Sequence, residues 1–112
     1  MIAGIINDFR KFKGIEPSFY WHKEENKNCL EHCYYMANIG EVVHASKGHL
    51  KNKSEAVARC NFKATAEETL RHLVFEVLGK SHSHADILIG SENIAYAVHA
   101  RQCTMYITIR GW

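Results

Sequence analysis

The sequence lacks the signatures of most specialised classes. No apolar run approaches the ~18 residues needed to cross a bilayer. The opening Met1–Ile6 stretch is too short for a signal-peptide core and reaches Asp8 without a basic flank or a small-residue cleavage pattern, so a soluble, cytoplasmic protein is the expectation. Charge of neither sign dominates: 14 Lys and Arg stand against 12 Asp and Glu, a net charge of +2 that favours no class of partner. Cysteine is sparse, with four residues (Cys29, Cys33, Cys60, Cys103) in 112. Disulfide scaffolds are cysteine-dense because they lack a core. Here 46% of residues are apolar, so a core is available and the thiols read as free, buried small hydrophobes. No phosphate-binding loop, no G-x-G-x-x-G and no G-x-S-x-G occurs, which removes the familiar nucleotide-binding and α/β-hydrolase chemistries. Proline occurs once, at Pro17, where it turns the chain.

What is present argues for one α+β domain over residues 1–112. Thr65-Ala66-Glu67-Glu68 has the form of a capping box. Leu70, Leu73, Val74, Val77 and Leu78 then repeat at helical spacing, and Gly79 stands where a left-handed cap would close the helix. Ile2, Ile5, Ile6, Phe9 and Phe12 predict a second helix, closed by Gly14 and weakened by Gly4. Ser18–His22, Asp86–Ile89, Ile94–His99 and Thr104–Ile109 read as strands, the last two joined by a tight turn at Arg101-Gln102. In the final strand Met105, Ile107 and Ile109 alternate with polar positions, predicting one buried face and one polar face. Lys23–Asn28 reads as a loop and Ser54–Arg59 as a short helix capped by Ser54. Cys29–Ala37 leans to a strand hairpin turning at Asn38–Gly40 into Glu41–His44, with a helix begun at Asn28 and Glu31 as the alternative. Together these predict a two-layer domain: an antiparallel-rich sheet with two to three helices, the Thr65–Leu78 helix packed on it.

Three constellations are candidates for chemistry. His82-Ser83-His84-Ala85-Asp86 places two imidazoles and a carboxylate where they can meet one metal ion, zinc being the natural choice. The pattern resembles the opening of the metallo-β-lactamase metal motif over these five residues, and the resemblance implies His82, His84 and Asp86 as ligands. It departs at Ile87, where that motif continues with a further histidine. Cys29, His32 and Cys33 add ligands only if their segment is helical, because in a strand the two sulfurs lie ~13 Å apart. Eight histidines also allow a metal-free ribonuclease site, with His44, His49 or His99 as base and Lys51 as phosphate cation.

Two features point to binding instead. Lys47, Lys51, Lys53, Arg59 and Lys63 are opposed by Glu55 alone, and Trp21 and Trp112 suit interface anchors. The leading expectation is a small cytoplasmic protein-binding module of inhibitor, immunity or antitoxin-like type, acting on a protein partner or a second copy of itself. A small enzyme and a nucleic-acid-binding regulator are the alternatives.

Overall fold

In the computed structural model, which describes residues 1–16 and 18–112, four strands form one mixed sheet. They are β1 (Tyr20–Trp21), β2 (Ser54–Asn61), β3 (Asn93–Arg101) and β4 (Thr104–Gly111), in the spatial order β1-β3-β4-β2. β1 runs parallel to β3, whereas β3–β4 and β4–β2 are antiparallel. The helices are α1 (Ile2–Phe12), α2 (Lys23–Ile39), α3 (Lys47–Leu50), α4 (Ala66–Arg71) with a π-helical continuation (His72–Leu78), and α5 (His82–Gly90). The turn expected at Pro17 lies outside the described residues. Among those residues no helix is long and apolar enough to cross a membrane.

The α+β class, the antiparallel-rich sheet and the Thr65 helix packed on it are as the sequence predicts. Thr65 caps α4, its hydroxyl accepting from the Glu68 amide at 3.0 Å. Leu70, Leu73, Val74 and Leu78 join Ile2, Ile5, Ile6 and Phe9 of α1 and Ala85 and Leu88 of α5 on one face of the sheet, against Ala56, Ala58, Ile94, Ile107 and Ile109. Gly79 does not adopt the left-handed cap, since its φ is −66°. It is needed for closeness instead: a Cβ there would sit 2.7 Å from Phe9 Cε1 and 2.7 Å from the Phe75 carbonyl oxygen.

The second face of the sheet, expected to be polar, is covered as well, so the domain has three layers. Cys33, Met36 and Ala37 of α2 pack on Val57 and Tyr106, and the Cys33 sulfur lies 3.2 Å from Thr108 Oγ1. This corrects the strand reading of Cys29–Ala37 and the loop reading of Lys23–Asn28. Cys29, His32, Cys33, Met36 and Ala37 form the buried stripe of one 17-residue helix, closed by Gly40 at φ +68°. Burial against the sheet overrides the strand composition of Cys33–Met36. No strand forms at Glu41–His44.

Two further segments exchange type. Ser54–Arg59 is strand rather than helix: Ala56 and Ala58 face one core while Val57 faces the other, the period of two that a sheet imposes. Asp86–Ile89 is helix rather than strand. Ala85 and Leu88 bury three residues apart, and Arg10 holds the C-terminal end through Nε to the Leu88 carbonyl at 2.9 Å.

Candidate functional site

The segment between α2 and β2 is laced to its neighbours by side chains rather than by strand pairing. His32 Nε2 donates to the Val43 carbonyl at 2.6 Å and Arg59 Nη1 donates to the Gly40 carbonyl at 2.6 Å. Glu55 anchors the rest, accepting on Oε1 from the Ala45 amide at 2.9 Å and from His44 Nδ1 at 3.1 Å. Ser46 caps α3, and its Oγ lies 2.8 Å from His49 Nδ1. The resulting cleft, about 740 Å³, runs between α2 and this segment. Glu31, His32 and Tyr35 form one wall, His44, Ser46, His49 and Lys51 the other, with Arg110 also lining it.

Beneath the cleft lies a buried ionic network. Arg110 Nε donates to Glu55 Oε2 at 3.0 Å and Nη1 donates to Glu25 Oε2 at 2.5 Å. Burial pulls the Arg110 pKa down, but the bonds to Glu25 and Glu55 outweigh it and leave it raised. Burial likewise pushes Glu25 up, and hydrogen bonds from Arg110 and Asn28 overcome that and hold it below the usual carboxylate range. Two carboxylates thus share one guanidinium, with Lys53 also acting on Glu25.

Three of the four residues considered for metal-free chemistry are brought together: His44, His49 and Lys51 share this cleft. His99 is not among them. It pairs with Tyr106, four residues along β4 from Arg110 and so ~13 Å away at strand rise, and it packs on Tyr34 at 4.4 Å between centroids. His44 and His99 therefore do not face each other.

The H-x-H-x-D triplet separates on its helix. His82 and Asp86 pair at i,i+4, 3.5 Å apart and exposed. His84, about 200° around at 3.6 residues per turn, is half-buried. Burial, and then the charge of nearby His44, lower its pKa. The helix thus separates His84 from His82 and Asp86. Among the described residues no three His, Cys, Asp or Glu side chains converge as a complete metal shell. Cys29 and Cys33 are buried in the α2 stripe, and all four cysteines are unpaired.

The candidate partner residues disperse. Lys51 is in the cleft and Lys53 lies over the Trp112 ring at 5.1 Å. Arg59 reaches Gly40, and the exposed Lys63 leads into α4, ~33 Å of strand from Lys53. Lys47 is exposed on α3. Trp21, within β1, stacks on Tyr96 at 5.8 Å with Lys23 above it, and Trp112 packs on His22 at 4.8 Å. The sequence pattern did not mark Glu25 and Arg110 as part of a site. The available signal was Glu55, the single acid within a run of five bases.

These features define an α+β domain with helices on both faces of a mixed sheet and a histidine-rich cleft above a buried Glu–Arg–Glu network. No protein-family model and no curated protein sequence matches the chain. The crystal structure of NaASP2 with Zn2+ has a similar architecture: it superposes with a TM-score of 0.71 at 9% identity, over 98% of this chain and 76% of that one. At that identity the likeness establishes the fold.

Proposed function

We propose that this chain is a small binding domain whose site is the His44 cleft, and that His44, together with His84 from outside the cleft lining, holds a divalent metal ion of the zinc type. The observation that carries this reading is the bond between His44 Nδ1 and the buried Glu55. A carboxylate that accepts the hydrogen bond from Nδ1–H leaves Nε2 with its lone pair outward, the arrangement in which metal-ligating imidazoles are held. The similar NaASP2 structure was obtained with zinc.

Two imidazoles are fewer than the three protein ligands of an open zinc site, so water and a group on a partner would complete the shell. Bound there, the ion would supply Lewis acidity or a bridging contact. The chain's own part is to orient His44 through Glu55. Calorimetric titration of tag-free protein with zinc tests the reading. One ion should bind, His44→Ala and His84→Ala should each weaken it at least tenfold, and His82→Ala should leave it unchanged. Equal binding by wild type and His44→Ala would sink it.

A second reading concerns the β1 edge of the sheet, where Trp21 on one face and Trp112 on the other each carry a lysine ammonium within 5.2 Å of the ring. Solvent-exposed tryptophans of this kind are the usual anchors of protein interfaces. An inhibitor, immunity or antitoxin-like role, or self-association, would use this surface, in a reducing compartment such as the cytoplasm where four free thiols persist. Trp21→Ala with Trp112→Ala should then abolish capture of a stoichiometric partner or reduce the mass in solution to that of one chain. A wild-type protein that stays monomeric and captures nothing would remove this reading. The basic residues fan out along β2, which gives nucleic-acid binding less support.

A further inference from the structure

We propose that Arg110 is the positioning residue of the histidine site: by clamping Glu55 it holds His44 in the Nδ1–H form that presents Nε2 to a ligand. The inference rests on the metal-binding reading above and deepens it.

The Glu55 side chain has no solvent exposure. A carboxylate so placed needs a cation and directed donors, or it takes up a proton. Arg110, itself 3% exposed, is the guanidinium that meets it. The pairing is imposed by the sheet, since Glu55 and Arg110 are directly opposed in the β2–β4 register. Arg110 cannot turn freely, because Nε is held by Glu55 and Nη1 by Glu25 of α2. With Oε2 taken by Arg110, only Oε1 remains for the loop, and it receives both the Ala45 amide and His44 Nδ1.

Each donor on Oε1 limits the other. The amide sets where Oε1 lies relative to the loop backbone, and the imidazole of the preceding residue must then approach through Nδ1. An unconstrained histidine samples both neutral tautomers, and the hydrogen bond to one nitrogen decides which nitrogen stays free. Remove the guanidinium and Oε2 loses the partner that fixes it, so the carboxylate can rotate and His44 loses its fixed acceptor. Arg110 thus acts on the ligand at one remove, through Glu55.

The test is nitrogen NMR of the imidazole rings in metal-free protein at pH 8, for wild type, Arg110→Met and Arg110→Lys. Wild type should show His44 as the Nδ1–H tautomer. Arg110→Met should show a mixture, and zinc affinity should fall by about 10- to 100-fold, as for losses of supporting partners at metal sites. If Arg110→Met does not fold, Arg110→Lys, which keeps the charge but not the two-point clamp, should shift the tautomer in the same sense. Wild-type His44 in the Nε2–H form, or an unchanged tautomer in the folded variants, overturns the proposal. If the tautomer responds as expected but wild-type protein binds no zinc, the positioning role stands and the metal reading fails.

Discussion

Glu55 and Arg110, 55 residues apart in sequence, face each other across β2 and β4 and share a 3.0 Å ion pair from which solvent is excluded. Such pairs are rarely a net gain over apolar packing, but breaking one by removing a single partner is costly. Arg110→Met leaves both Glu25 and Glu55 without their cation. Urea unfolding should show a loss of about 3–5 kcal/mol. The double variant Glu55→Leu/Arg110→Met should recover part of it.

Glu25 gives the network a pH signature. Its folded pKa lies below its unfolded value because the bonds from Arg110 and Asn28 outweigh burial. The unfolded chain therefore binds the proton more readily. The stabilisation is complete above the unfolded pKa, near 4.5, and is lost as pH falls through the folded one. Unfolding free energies measured from pH 6 downward should fall more steeply for wild type below about pH 4.5 than for Glu25→Gln.

The thiols should react in a set order. Burial pushes Cys29 up to about 12 and Cys33 to about 11, and both are buried in the α2 stripe. Cys103 is exposed and Cys60 half-buried. A disulfide reagent at pH 8 should label Cys103 at once and Cys60 more slowly, leaving two thiols that appear only on denaturation. Rapid labelling of Cys33 in native protein would contradict the packing of α2 on Tyr106.

Two glycines should respond in opposite directions to alanine. A Cβ on Gly79 would collide with Phe9 and two carbonyl oxygens, so Gly79→Ala should lower stability by about 1–3 kcal/mol. A Cβ on Gly4, within α1, would meet nothing within 4 Å. Gly4→Ala should raise stability by about 0.5–1 kcal/mol. Paired thermal melts check both.

Arg10 is the other buried cation, 4% exposed, and it answers to carbonyls rather than to a carboxylate. It donates to Leu88, Ser18 and Ser91 and lies over the Phe19 ring. Burial lowers its pKa. Arg10→Met would leave those carbonyls short of a donor, and the loss should be roughly 3 kcal/mol. Hydrogen exchange should show it first at the C-terminal turn of α5.

The elements legible in the sequence are those whose pattern is both local and strongly apolar. The α1 stripe, the Thr65 cap with its leucine and valine stripe, and the β3–β4 hairpin all fall in this group. In each, the residues that repeat are ones whose burial dominates the free energy. α2 was obscured because its buried stripe is built from Cys, His, Met and Ala, which advertise no period. Its identity is decided by the second face of the sheet, which it covers. β2 and α5 went the other way for the same reason: alanines suited to a helix and isoleucines suited to a strand were assigned by the cores they reach.

The candidate site follows the same division. The sequence by itself supplied a chain with eight histidines and one acid among bases, and so the chemistry available. Which of those residues meet was decided by tertiary structure. Strand register sets Glu55 opposite Arg110, the docking of α2 brings Glu25 to the same guanidinium from 85 residues away, and the helical turn of α5 swings His84 away from His82. Such contacts depend on packing between distant segments, which no local spacing encodes.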